Sequence, residues 1–317
     1  GRRARGGGHY GEWADVALAA AQFHEDGDAP GLPEALRAWP FVAPPPPAFL
    51  TVVNEMRSDR NRYPRDEGLV ARLLAAPGDA PLTALASLLA GSDCAGMELD
   101  FFPVPEGHWQ AYLDFCGRLA AHLRRSGHRL RVVLTIGDRL PEGDYPAAVE
   151  YVARALPPAP GAAGPGPLLL PGRIRRLADE CARLPKMPVL MLPLGGGHWI
   201  KRPNRANAPQ ERKFFYADVD EAEAARLAAS HKVTPDRDRA SGYLVCGYAE
   251  SEESAAGRLR PHYLWWADAL TARGWLAAAR AAGFREFGFW WLGASLPGTL
   301  AKLVEDARLT SSIAAGE

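Results

Sequence analysis

The chain lacks an excess of either charge: lysine plus arginine number 37 and aspartate plus glutamate 37. That balance gives no support to a polyanion-binding surface, so no nucleic-acid partner is expected. The basic cluster at Arg2, Arg3 and Arg5 is local. No run approaches the ~18 apolar residues of a membrane helix, so no membrane span is expected. Cysteine is scarce. Cys94, Cys116, Cys181 and Cys246 are widely spaced and match no zinc or redox pattern, which makes buried thiols the expectation. Histidines at 9, 24, 108, 122, 128, 198, 231 and 262 form no H-E-x-x-H, so no metal is expected. There is no Gly-x-Ser-x-Gly elbow. No Gly-rich phosphate fingerprint follows an early strand, and Gly195-Gly-Gly197 lacks that spacing and leads into Trp199. No cofactor is therefore expected. No signal peptide is visible, and the chain begins at Gly1 without a Met.

What is present points to a large core: 317 residues, 47% hydrophobic, enough for one barrel with insertions or two small domains. The organising stretch is Ala95-Gly-Met-Glu-Leu-Asp-Phe-Phe-Pro103, short and apolar between Gly96 and Pro103, which reads as a buried strand. Alternation puts Glu98, Asp100 and Phe102 on one face and Met97, Leu99 and Phe101 on the other. A barrel explains carboxylates on the inner face, with helices outside and polar residues reaching the mouth at the C-terminal ends of the strands. Two acids paired inside the barrel for structural reasons are the alternative.

Residues 1–12 are Gly- and Arg-rich and read as disordered. Val16 to Phe23 fits a strand or a short helix, and Pro44-Pro-Pro-Pro47 forces an extended entry. Phe49 to Asn54 reads as a strand ending at Asn54-Glu55; Gly68 to Leu74 and Leu82 to Leu89 read as helices. Trp109, Tyr112, Leu113, Cys116, Leu119 and Leu123 lie on one stripe at 3.6 spacing, the clearest helix, stopping at Gly127. Leu130 to Ile136 is the next strand, and the helical crossover before it indicates parallel pairing. Pro146 to Leu156 fits helix or strand. Ile174 to Leu184 reads as a helix, and Pro188 to Leu194 as a strand running into a Gly-rich loop with His198 and Trp199. Residues 200–216 read as a loop, Val219 to Ser230 as a helix, and the stretch 200–260 as a small α+β insertion. His262 to Trp266 reads as a parallel barrel strand, Ala269 to Ala282 as a helix, Phe287 to Leu292 as the last strand and Thr299 to Leu309 as the closing helix. Repeated strand–helix units predict a (β/α)8 TIM-type barrel over 13–312, with the insertion before its last two strands and a tail at 313–317. An open two-layer sheet is the alternative.

These residues resemble glycoside hydrolase family 18, the chitinase-like barrels, and within it the bacterial spore-cortex N-acetylglucosaminidases that act on peptidoglycan. Leu50 to Asn54 resembles that branch's early strand. Ala95 to Phe102 falls on the signature D-G-x-D-x-D-x-E. Lys186 to Trp199 resembles the strand K-I-L-L-G-I-P-L-Y-G-Y-D-W, and Tyr263 to Gly293 resembles the closing unit. The departures concern chemistry. The signature's first Asp falls at Ala95, its middle acid at Glu98, its last Asp at Asp100 and its catalytic Glu at Phe102. The tyrosines of the Tyr-Gly-Tyr piece fall at Gly195 and Gly197 and its Asp at His198; the family's Met-x-Tyr-Asp is not recognisable after Val152, and its first strand is missing or upstream of Gly1.

The resemblance implies a glycan partner containing N-acetylglucosamine, peptidoglycan or chitin-like, and a cell-envelope or secreted location. Asp100 and Glu98 are the catalytic candidates. Trp290 matches the family's aromatic floor, and sugar C–H faces pack on such rings. Trp199, Trp265, Asp268, Asn54, Glu55, His198 and Phe102 complete the candidate contacts. Because phenylalanine cannot donate a proton, the resemblance implies a barrel that binds glycan without ordinary hydrolysis. An active glycosidase with a relocated acid, Glu98 or Glu55, is the second reading. A barrel scaffold for protein interaction is the third.

Overall fold

The computed structural model describes residues 16–23, 48–56, 67–76, 78–90, 92, 94–155, 164–202, 213–251, 259–290, 299 and 302–303. The expected disordered segment at 1–12, the Pro-rich entry, most of the closing helix and the tail lie outside them. The described residues divide into two compact units, one within 16–154 and 180–189, the other within 155–179 and 190–303.

The first unit carries β1 (Val16–Phe23), β2 (Ala48–Met56), α1 (Glu67–Ala75), α2 (Ala80–Ser87), β3 (Gly96–Asp100), α3 (Trp109–Arg124), β4 (Arg129–Ile136) and β5 (Glu150–Ala155). Its strands lie in the order β1-β2-β3-β4-β5, and the pairs from β1 to β4 are parallel. Val16 to Phe23 and Glu150 to Ala155, each ambiguous by periodicity, are therefore strands. Neighbouring strands supply hydrogen-bond partners that local alanine propensity cannot outweigh. Gly96 is required where it stands, because a Cβ there would meet the Arg129 carbonyl oxygen at 2.1 Å.

The expected alternation governs this unit. Leu50, Val52, Met97, Leu99, Leu130, Val132 and Leu134 are buried on one face, and the α3 stripe of Tyr112, Leu113, Cys116, Leu119 and Leu123 is buried with them. The ring of Phe101 lies 6.1 Å from that of Tyr112, which fixes this face as the helix side. The opposite face holds Thr51, Glu98 and Arg131 in one cross-strand row.

The second unit contains α4 (Pro171–Cys181, its last turn in the first unit), β6 (Val189–Pro193), β7 (Gly196–Lys201), β8 (Phe214–Val219), α5 (Glu221–Ser230), β9 (Asp236–Arg237), β10 (Leu244–Ser251), β11 (Leu259–Trp266), α6 (Ala269–Ala281) and β12 (Phe287–Trp290). β12 pairs with β6 in parallel, as the strand–helix pattern predicts. The other strands form a five-stranded antiparallel sheet, β8-β7-β11-β10-β9.

Three expectations are corrected here. His262 to Trp266 is not a parallel barrel strand; it lies in β11, antiparallel to both β7 and β10. The loop at 200–216 contains the end of β7 and the first half of β8, which pair from Lys201↔Phe214 to Gly196↔Val219. The antiparallel sheet begins at Gly196 and ends at Trp266, so it exceeds the 200–260 stretch at both ends. A short apolar run looks the same in either sheet, and only its partners reveal which one it joins.

Candidate functional site

The inner face of the first unit is a ladder of paired charges. Nearest the N-terminal ends of the strands, the guanidinium of Arg131 lies 3.8 Å from the centre of the Phe49 ring. It also donates to Glu150 at 3.1 Å, and Arg129 donates to the other oxygen of Glu150 at 3.1 Å. In the same row as Arg131, Glu98 accepts from the hydroxyl of Thr51 at 3.1 Å and is 4% exposed. Burial pushes its carboxyl up to about 7, against the opposing effects of Thr51 and Arg131.

Asp100 occupies the last position of β3. Arg154 of β5 donates to its two oxygens at 2.7 and 3.0 Å, and the same guanidinium donates to Thr135 at 2.7 Å. Both partners are nearly enclosed, with side chains 10% and 11% exposed. A bidentate pair of this kind fixes the carboxylate in orientation as well as charge.

Asn54 is fully buried, and its Oδ1 accepts from the backbone N–H of Phe102 at 3.0 Å. This bond ties the end of β2 to the segment leaving β3. Phe102 itself is half-buried. Glu55 is a residue of β2, and its side chain lies outside the described set. The structure thus brings Glu98, Asp100, Asn54 and Phe102 into one unit. It adds Arg131, Arg154, Thr135 and Thr51, which sequence reasoning missed. Arg131 and Thr135 could have been found by extending the alternation of Leu130 to Ile136. Arg154 could not, because its segment fitted helix and strand equally.

The remaining candidates lie in the second unit, where Leu194 N–H donates to the Trp290 carbonyl and Ala267 N–H to the Gly195 carbonyl. His198 and Trp199 are consecutive on β7, so the sheet separates their side chains, and neither sits in a loop as expected. Trp199 is 5% exposed, packs over Gly197 and makes an edge contact with Tyr216 at 5.1 Å, which is core packing. Trp265 is half-buried, on the Trp199 face of the sheet. His198 meets His262 on the opposite face at 2.9 Å.

Asp268 is the N-cap of α6. It accepts from the Thr271 N–H at 2.9 Å in a capping box and takes Arg237 on its two oxygens at 2.6 and 3.1 Å. Burial pushes its carboxyl up, but the bonds from Arg237 and Thr271 prevail and hold it below its ordinary value. Its oxygens cap the helix terminus and hold Arg237. Trp290, at the end of β12, is 42% exposed.

Among the described residues no group of three or more His, Cys, Asp or Glu could hold a metal ion. No single described helix is long and apolar enough to cross a membrane. All four cysteines are free; Cys116, Cys181 and Cys246 are buried and Cys94 half-buried.

No protein-family model and no curated protein sequence matches the chain. Solved structures do. The spore cortex-lytic enzyme SleL of Bacillus cereus superposes with a TM-score of 0.71 at 16% identity, covering 93% of this chain and 68% of its own. A class V chitinase from Pseudomonas fluorescens gives 0.69 at 19% identity, covering 94% and 93%. A chitinase from Chromobacterium violaceum gives 0.69 at 16%, covering 92% and 90%. The fold is chitinase-like. Within the chitinase-like fold, parallel strands with flanking helices form the α/β part, and the antiparallel sheet with α5 follows β6.

Proposed function

We propose that this chain is a chitinase-like (β/α)8 barrel that binds glycans containing N-acetylglucosamine, peptidoglycan or chitin-like, without ordinary hydrolysis. The likeness to SleL and to the chitinases supports the substrate class. The observation that carries the loss of hydrolysis is Phe102 at the position of the proton donor, and the Arg154 clamp on Asp100 adds to it.

In the resemblance, the substrate's own acetamido group attacks while the neighbouring Asp assists it and a Glu protonates the leaving oxygen. Arg154 takes one lone pair on each Asp100 oxygen and ties the carboxylate to β5, which restricts the directions from which it can accept the acetamido N–H. The Glu position is Phe102, which has no proton to give. General acid–base catalysis contributes about 10²–10⁴ in rate, so its loss removes most turnover at such a site. The exposed ring of Trp290 suits a sugar face, and this reading assigns it the floor. Trp199, Asp268 and Asn54 keep structural roles.

A second reading, hydrolysis by a relocated acid, is favoured by one observation: Glu98 is pushed up to about 7 and so holds a proton near neutrality. One pair of assays separates the readings. Co-sedimentation with insoluble peptidoglycan or chitin is expected to show binding. A chromogenic N-acetylglucosamine oligomer is expected to show no turnover. Turnover lost in Glu98→Gln would establish the relocated acid, and absence of any glycan binding would leave the scaffold reading.

A further inference from the structure

The antiparallel sheet carries a group of titratable side chains that the glycan reading does not use. α5 begins at Asp220, whose carboxylate accepts from the Glu223 N–H at 2.7 Å, and crosses one face of the sheet. Ala224 and Ala228 belong there to a buried cluster with Val219, Cys246, Tyr248, Leu264 and Trp266. The helix ends at His231, and that end is held differently. The His231 ring stacks on Tyr248 with centroids 3.9 Å apart, and Tyr248 stacks on His262 at 4.8 Å. His262 Nδ1 lies 2.9 Å from His198 Nε2, and the Tyr248 hydroxyl lies 3.2 Å from that same Nε2. Glu250 serves two rings, 3.0 Å from His231 Nε2 and 3.5 Å from His262 Nε2.

We propose that His198 and His262, with Tyr248, His231 and Glu250, form an acid-released latch that holds the C-terminal end of α5 on the sheet. The contact between the two imidazoles needs one hydrogen between two nitrogens. The neutral pair meets this with His198 Nε2–H donating to His262 Nδ1, leaving His262 Nε2–H to face Glu250, an assignment inferred from the partners. One added proton can be accommodated by a change of tautomer. When both rings are charged, each facing nitrogen carries its own hydrogen and the contact cannot persist.

The surrounding charges are few. Glu223 and Arg226 face the group from α5, paired with each other at 2.6 Å. Glu250 and the Cys246 thiol face it from β10, and Arg260 from β11. Burial, then the charge of His262, lowers His198 from 6.5 to about 4; burial likewise lowers His262. Both shifts are downward, so the unfolded rings take up protons first. The His198–His262 contact contributes fully above about pH 6.5 and loses its contribution as the pH falls toward about 4.

The test uses the full chain. Hydrogen exchange over 221–233, corrected for intrinsic rates, is expected to rise at least ~tenfold between pH 7 and pH 4.5, with α3 changing less than ~twofold as the internal control. Imidazole NMR on the same protein is expected to show two rings titrating together below the ordinary histidine range. His198→Gln keeps a neutral hydrogen-bonding group that cannot charge, so its α5 is expected to stay protected at pH 4.5. Two rings titrating independently near pH 6.5, or an unchanged acid response in His198→Gln, would overturn the latch. If that variant does not fold, the wild-type titration and exchange decide.

Discussion

The guanidinium of Arg154 reaches across 54 residues of chain to donate to both oxygens of Asp100, at 2.7 and 3.0 Å. Breaking one side of so enclosed a pair strands the other charge. Arg154→Met is therefore expected to cost about 3–5 kcal/mol of unfolding free energy. The double variant with Asp100→Asn should recover a large part, because no charge remains buried alone. Urea unfolding of the wild type, both single variants and the double variant checks this. Additive costs would remove the coupling.

Glu98 makes a pH prediction of its own. Its folded carboxyl is raised from 4.5 to about 7, so the folded state binds the proton more tightly than the unfolded chain. The stabilisation is complete below about pH 4.5 and is lost as the pH rises through about 7. Glu98→Gln removes that ionisation. Relative to the wild type, the variant should gain about 1–3 kcal/mol on going from pH 5 to pH 8. Parallel denaturation curves at the two pH values measure the difference directly.

Leu113 is 0% exposed at the centre of the α3 stripe. Leu113→Ala should cost about 2–5 kcal/mol, by lost transfer energy and a residual cavity. A change within error would mean that the stripe does not carry the core of the first unit.

Asp268 should behave as a cap rather than as a glycan ligand. Asp268→Ala is expected to lower stability by about 1–2 kcal/mol through the lost cap, with a further loss from stranding Arg237. Glycan affinity should be unchanged in calorimetry of the folded variant.

Trp290 gives the opposite pattern. At 42% exposure its removal should leave the fold within about 1 kcal/mol of the wild type. Under the glycan reading, Trp290→Ala weakens binding of an N-acetylglucosamine oligomer about tenfold, or ~1.4 kcal/mol. Calorimetry showing equal affinity for the two proteins would remove Trp290 from the floor.

The sequence by itself determined the elements whose pattern repeats locally. The α3 stripe, the alternation in β3 and the strands at β2, β4, β6 and β12 were legible because a buried face repeats with the period of its own backbone. The likeness to chitinase-like barrels was legible for a related reason: motif order and spacing survive in the chain.

Partnership was decided only by the tertiary structure. Asp100 reads as an available carboxylate until Arg154 is seen to hold both its oxygens. The cap that Asp268 makes on α6, and its pair with Arg237, are seen only in the structure. β11 reads as a barrel strand until β7 and β10 are seen to run against it. In each case the deciding group lies tens of residues away or, for the cap, in geometry that side-chain type alone leaves open. Periodicity reports which face is buried, but the groups that neutralise a charge across that face are fixed only when distant strands take up their register.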